Sequence, residues 1–153
     1  RIKSKLKFNI KLVNYKRIKP EFKNLKYKQI IKYLSGLNKS KSDIGLCVNN
    51  KILESGTSNI LFVSNNQIYS PIGKFYKGIT LNFFESKLGK FKKKNIFIKS
   101  LKKYEEIILI GSGKGVTSVN SIKSIKWKRK SLKFYRILSD IYKSEISLCS
   151  IFK

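Results

Sequence analysis

Three short stretches carry residue types that could do chemistry. Glu54-Ser55-Gly56-Thr57-Ser58-Asn59-Ile60-Leu61-Phe62-Val63 sets a carboxylate at a strand end, follows it with a turn of small residues, and enters an apolar strand that stops at Ser64-Asn65-Asn66. That layout suits a site, although a lone Glu before a Gly-Thr-Ser turn is more often a solvated loop residue. Gly111-Ser112-Gly113-Lys114-Gly115 follows the most apolar run of the chain and first suggests a loop that cradles phosphates. Its spacing is neither G-x-x-x-x-G-K-[ST] nor G-x-G-x-x-G. The β-prone Val116-Thr117-Ser118-Val119 after it could not open the helix that those folds require, so a flexible glycine turn is an equal reading. Gly78-Ile79-Thr80 is an ordinary capping signal before a helix, and a helix start favours an anion. Cys47 and Cys149 are isolated, lack metal-ligand spacing and have no His to complete a site, so no metal centre is expected. Cys47, inside an apolar run, reads as a buried thiol.

The elements that must position these residues follow from periodicity. Residues 6–15 alternate as a strand and lead through a basic linker to Pro20. Leu25, Ile30, Ile31, Leu34 and Leu37 recur at helical spacing, which predicts a helix over 24–37 that stops near Gly36 and Asn38. Two hairpins follow. Strands over 44–48 and 51–54 turn at Asn49-Asn50, and strands over 60–63 and 67–69 turn at Asn65-Asn66, asparagine being tolerant of left-handed torsions. Thr80 is expected to cap a helix over 81–88 that Gly89 closes, followed by a strand over 95–98 and a helical turn at 101–104. The continuous apolar run 106–110 reads as a central strand, 116–119 and 122–125 as short strands, and 132–146 as an amphipathic helix. The order predicts an α+β fold, with a mixed sheet and flanking helices.

Composition bounds the function classes. At 153 residues, 41% hydrophobic, the chain holds enough apolar material for one core or for the larger lobe of a two-lobed enzyme. It begins at Arg1 and is read as a fragment whose N-terminal lobe is absent. The formal charge of +27, from 35 Lys+Arg against 8 Asp+Glu, calls first for a test as a nucleic-acid binder. Only Arg1, Arg17, Arg129 and Arg136 supply the bidentate guanidinium that phosphate and groove readers use, and the lysines are scattered apart from Lys92-Lys93-Lys94 and the 126–130 stretch. Absent Ala, His and Met beside abundant Lys, Ile, Asn and Ser fit an AT-rich genome, so the charge is read as solvated faces and a nucleic-acid partner is not expected. No stretch reaches the length of a membrane span and no signal-peptide pattern opens the chain, so no membrane partner is expected and a cytoplasmic location is, an organelle address being conceivable only ahead of Arg1.

Taken together and in order, the motifs resemble those of the class IV pyridoxal-phosphate enzymes, the branched-chain and D-amino-acid aminotransferases and 4-amino-4-deoxychorismate lyase. Glu-x-x-x-Ser-Asn-Ile-hydrophobic-Phe-Val at Glu54–Val63, followed by Ser70-Pro71, is similar to the family's central signature. Gly78-Ile79-Thr80 resembles its Gly-Ile-Thr-Arg, with Leu81 in place of the Arg. Ile110–Val119 is similar to its late hydrophobic-Gly-Thr-x-x-x-Val-Thr-Pro-Val, with Ser112 in place of Thr. Phe22-Lys23-Asn24-Leu25-Lys26-Tyr27 looks like its hydrophobic-Lys-x-hydrophobic-Asn segment, with Lys26 in place of Asn.

The resemblance implies a barrel-like mixed-sheet lobe, as in the larger C-terminal domain of these enzymes. It divides the chain into an interdomain linker with the first strand over 1–20 and a cofactor-binding domain over 21–153. It implies pyridoxal 5′-phosphate as cofactor, held by Lys23 as a Schiff base, with Lys19, Lys26 and Lys28 as competing assignments. Glu54 would pair with the pyridine nitrogen, Asn59 would fix the turn behind Glu54, and Ile79, Thr80 and Ser112 would anchor the phosphate. Lys23 would also be the proton shuttle and hence the catalytic residue. A small-molecule amine substrate and a homodimer are implied. The short Lys23 segment, Leu81 and Ser118 favour a lyase of the aminodeoxychorismate type, which makes 4-aminobenzoate for folate, over an aminotransferase. A lysine-rich RNA-binding protein is the remote alternative.

Overall fold

A computed structural model describes residues 6–22 and 27–150, excluding the Ser150 side chain. Strand β1 (Phe8–Asn14) forms within the alternating residues 6–15, and helix α1 runs over Lys28–Ser35, shorter than the predicted 24–37, whose residues 24–26 lie outside the described part. Ile30 and Leu34 are buried on one face while Lys28 and Lys32 remain in water, and Ile31 is exposed despite fitting the apolar stripe. The two predicted hairpins form as β2 (Ser42–Val48) with β3 (Lys51–Ser55), and β4 (Asn59–Ser64) with β5 (Gln67–Pro71). Both pairs of turn asparagines have positive φ: 50° and 61° at Asn49-Asn50, 49° and 60° at Asn65-Asn66. Those torsions match the right-handed twist of the flanking strands, as a two-residue hairpin needs.

Helix α2 spans Ile79–Leu88 and its N-cap is Gly78, not Thr80. Thr80 lies inside the first turn and is buried, because the extended Gly78 already lets the chain enter the helix without a side-chain cap. Gly89, at φ 84°, ends the helix in a torsion that costs glycine little. The strand expected over 95–98 forms earlier, as β6 (Lys92–Lys94). Its three lysines give no apolar alternation to read, yet an edge strand needs only backbone pairing, and charge there keeps the open edge from recruiting another chain. Past β6, Ile96 is buried, Phe97 makes a single bridge to Lys51, and Ile98–Lys103 forms a 3-10 turn.

Strand β7 (Glu106–Gly111) leads through the glycine turn into β8 (Gly115–Ile122). The expected strand over 122–125 is instead a 3-10 turn, Lys123–Ile125, which Lys126 leaves at φ 53° to start β9 (Trp127–Lys128). Helix α3 covers Lys133–Ser150. Its first-turn amides have no intrahelical carbonyl, and the buried Glu106 carboxylate takes two of them, from Phe134 and Tyr135, each at 3.0 Å.

The strands form one mixed sheet in the order β3-β2-β1-β8-β7-β4-β5-β6, with β9 added to β8. β1 runs parallel to both β2 and β8, β5 parallel to β6, and the remaining pairs are antiparallel. β3 and β4 are consecutive in the chain, joined by 56–58, yet stand first and sixth in the sheet order. A three-residue link spans that separation only if the sheet curls, and the result is a half-barrel. Both sheet faces are covered, which explains why β4 and β7 are apolar without alternation. Ile60, Phe62, Ile107 and Leu109 point into the curl with Phe8, Tyr104 and Trp127. Leu61, Val63, Ile108 and Ile110 face α2 and α3, meeting Leu81, Phe84, Tyr135 and Leu138. Each such buried side chain contributes roughly 1.5–3 kcal/mol relative to exposure. Cys47 is a buried free thiol, as read from its apolar run, and burial pushes its pKa up to about 11.

Candidate functional site

The end of β3, the start of β4, the end of β7 and the start of α2 meet at one mouth of the half-barrel, where a cavity of about 440 Å³ opens. Its wall includes Glu54, Asn59, Ile79, Thr80 and Ser112, so five of the six predicted site residues converge, and Ser58 joins them. The sixth, Lys23, lies outside the described residues, as does its competitor Lys26. Arg17 and Tyr27, on either side of that stretch, both line the cavity, and α1 contributes Ile30, Ile31 and Leu34 as an apolar side.

Glu54 is not a solvated loop residue. It is 5% exposed, and the guanidinium of Arg17 faces it with Nε 3.2 Å from Oε1. The approach is an ion pair rather than an aligned hydrogen bond. Burial raises the carboxyl and Arg17 pulls it back in part, leaving a pKa of about 7. A carboxyl so placed exchanges its proton near neutrality, which a solvated glutamate does not. Arg17 also donates from Nη2 to the Gly56 carbonyl at 3.0 Å and lies 5.3 Å from the centre of the Tyr27 ring. Arg17 was not among the expected site residues, because nothing local marks one of four arginines for this place, although guanidinium tolerates burial in an ion pair better than ammonium.

Asn59 has a different task from the one expected. Its Oδ1 accepts the Gly78 amide at 2.9 Å and its Nδ2 donates to the Tyr76 carbonyl at 2.7 Å, so it fastens the start of α2 rather than the turn behind Glu54. That turn is held instead by Ser55, whose hydroxyl accepts the Ser58 amide at 2.8 Å and donates to Asp43 Oδ2 at 2.9 Å. With Gly78 pinned, the first-turn amides of Ile79 and Thr80 are without helical carbonyl partners and the helix dipole adds to them, a ready place for an anion. Leu81 is buried in the core among Leu61, Phe84 and Leu138 and takes no part in the cavity wall. Leu81, which stands where the family has Arg, therefore contributes nothing to the cavity lining. Ser118 is likewise buried away from the cavity, accepting a hydrogen bond from Arg129 Nη1 at 3.2 Å.

A Cβ at Gly111 would come within 2.9 Å of Ser58 Oγ, so a larger residue there would displace that hydroxyl. That hydroxyl is buried without a hydrogen-bond partner, an unsatisfied polar group beside the cavity. A model of the family described as amino-transferase class IV matches residues 3–122.

The chain belongs to the class IV aminotransferase family.

Solved structures agree at the level of fold. A putative 4-amino-4-deoxychorismate lyase from Legionella pneumophila superposes with a TM-score of 0.74 at 17% identity, covering 90% of this chain and 55% of that one. A putative branched-chain amino acid aminotransferase from Thermotoga maritima gives 0.73 at 17% identity, covering 92% and 55%. The PLP-bound form of a hypothetical aminotransferase from Mycobacterium tuberculosis gives 0.73 at 14% identity, covering 91% and 56%. This chain thus spans little more than half the length of these class IV structures. No curated protein matches it. Among the described residues no group of His, Cys, Asp and Glu could hold a metal ion, and no helix is long and apolar enough to cross a membrane.

The residues present fit a phosphorylated, nitrogen-containing ring. The donor set at Ile79, Thr80 and Ser112 suits a dianion, the near-neutral carboxyl of Glu54 suits a basic ring nitrogen, and the glycine contacts at Gly78 and Gly111 keep the wall thin where Asn59 and Ser58 press in.

Proposed function

We propose that this chain is the cofactor-holding part of a pyridoxal-phosphate-dependent enzyme acting on a small-molecule amine, a lyase of the 4-amino-4-deoxychorismate type that releases pyruvate and leaves 4-aminobenzoate. The observation that supports it is the single cavity joining Glu54, the start of α2 and the Ser112 turn. When bound, pyridoxal phosphate supplies an electron-withdrawing ring that stabilises negative charge at the substrate's amine-bearing carbon. The amides of Ile79 and Thr80 and the hydroxyl of Ser112 would grip the phosphate. Glu54 would keep a proton at the ring nitrogen, a task for which a carboxyl near 7 is suited. Ile30, Leu34 and Ile110 would exclude water from that side, which strengthens each polar contact within. Lys23 would hold the cofactor's aldehyde carbon through its amine and, once displaced by the substrate amine, carry the proton to and from the reacting carbon.

The choice of a lyase rests on the short Phe22–Tyr27 segment, now that Leu81 and Ser118 stand away from the cavity. An aminotransferase is the competing outcome. Borohydride reduction of the loaded full-length protein followed by peptide mapping should place the modification on Lys23, and label on Lys19, Lys26 or Lys28, or on no lysine, refutes that role. Assay of the same protein should then give pyruvate from aminodeoxychorismate. Keto-acid exchange with amino acids in its place would make it an aminotransferase.

A further inference from the structure

Asp43, in β2, is fully buried, and its carboxylate gathers donors from three parts of the chain. Oδ1 accepts the Ile44 amide at 2.7 Å. Oδ2 accepts the hydroxyls of Ser55 at 2.9 Å and Thr57 at 2.7 Å, and the ammonium of Lys114 at 2.9 Å. Lys114 Nζ also donates to Thr57 Oγ1 and sits 5.1 Å from the centre of the Phe8 ring. The two turns that border the cavity, 55–58 with its Glu54 side and 111–115 with Ser112, are therefore tied to one carboxylate lying behind them. Neither Asp43 nor Lys114 is part of the cavity wall.

We propose that Asp43 and Lys114 form a clasp that locks the glycine turn 111–115 against the 55–58 turn and so sets how tightly Ser112 holds the phosphate of a bound cofactor. The inference rests on the cofactor reading above and names two positioning residues for it. Gly111, Gly113 and Gly115 surround Ser112 and Lys114, and a turn so rich in glycine loses more backbone freedom than most on being ordered. Side-chain anchoring at Lys114, 81% buried by its 19% exposure, removes that freedom before any ligand arrives, and preorganisation of this kind appears as affinity. A buried ion pair gains little net stability over its desolvation, so what this one contributes is placement. The ammonium is engaged by Asp43 and Thr57 and is not part of the cavity wall.

The test uses the full-length protein with Lys114→Gln and Lys114→Arg, since Asp43 with its several donors is the member whose loss threatens folding. Amide hydrogen exchange in the ligand-free protein reads the clasp directly. Dissociation constants for pyridoxal phosphate and for pyridoxal, which lacks the phosphate, read its consequence. Lys114→Gln should speed exchange in both 55–58 and 111–115 and weaken pyridoxal phosphate by roughly tenfold, the scale of one charge-assisted hydrogen bond, with pyridoxal within about twofold of wild type. Lys114→Arg should restore both. Unchanged exchange at 55–58, equal weakening of the two ligands, or no weakening at all overturns the clasp. A wild-type protein that binds neither ligand overturns the cofactor reading and the phosphate role together, and the exchange data separate that failure from the absence of a clasp.

Discussion

Arg17 Nε stands 3.2 Å from Glu54 Oε1, with the two side chains 10% and 7% exposed, so the cation and the carboxyl of the site were removed from water together. Arg17 is the group that opposes the desolvation of Glu54. Arg17→Met should therefore raise the Glu54 pKa beyond its present value of about 7. The ionised form loses its partner, so the destabilisation grows as pH climbs through 7 and is small at pH 5, where Glu54 is protonated in either protein. Urea unfolding should show a loss on the order of 1 kcal/mol more at pH 8 than at pH 5, since Glu54 in the variant can stay protonated across the one pH unit above its present value. An equal loss at both pH values would mean that the pair is electrostatically idle.

The raised pKa of Glu54 has its own pH signature. With the folded value near 7 and the ordinary one near 4.5, the folded cofactor-free protein binds the extra proton between them, and stability falls as pH rises across that window. Glu54→Gln should flatten this slope, which denaturant titrations at several pH values would measure. In the loaded enzyme the same variant should retain cofactor while turnover drops by roughly a hundredfold or more, because the ring nitrogen loses its proton partner. Unaltered turnover would remove Glu54 from the mechanism.

Asn59, at the start of β4, holds the helix start, accepting the Gly78 amide and donating to the Tyr76 carbonyl. Asn59→Ala leaves both backbone groups without their partner and should cost about 1–3 kcal/mol in thermal or urea unfolding. It should also weaken pyridoxal phosphate more than pyridoxal, since Ile79 and Thr80 follow directly from Gly78. A variant as stable as wild type with unchanged cofactor affinity would show that Asn59 does not place the helix start.

How much of this was legible varied residue by residue. The hairpin turns were, because Asn49-Asn50 and Asn65-Asn66 occupy torsions that few other residues accept. The β6 lysines were not, since an edge strand is held by backbone pairing that leaves no apolar pattern. Thr80 is not the cap, because Gly78, two residues earlier, can begin a helix as well as a threonine can. Arg17 and Asp43 carry no local signature at all. Their partners Glu54, Thr57 and Lys114 are up to 71 residues away in the chain.

What the amino-acid order determined unaided was the list of parts: a carboxylate before a small-residue turn, a helix start with free amides, a hydroxyl in a glycine turn, and strands apolar on both faces. These are short-range properties, set by torsion preference and by the period of side-chain burial. Tertiary structure alone decided that β3 and β4, neighbours in the chain, close a curled sheet from places one and six, that Arg17 would be the cation facing Glu54, and that Leu81 would enter the core instead of the cavity. Those outcomes depend on desolvation and on which distant groups meet when the sheet curls, quantities that no local pattern of residues encodes.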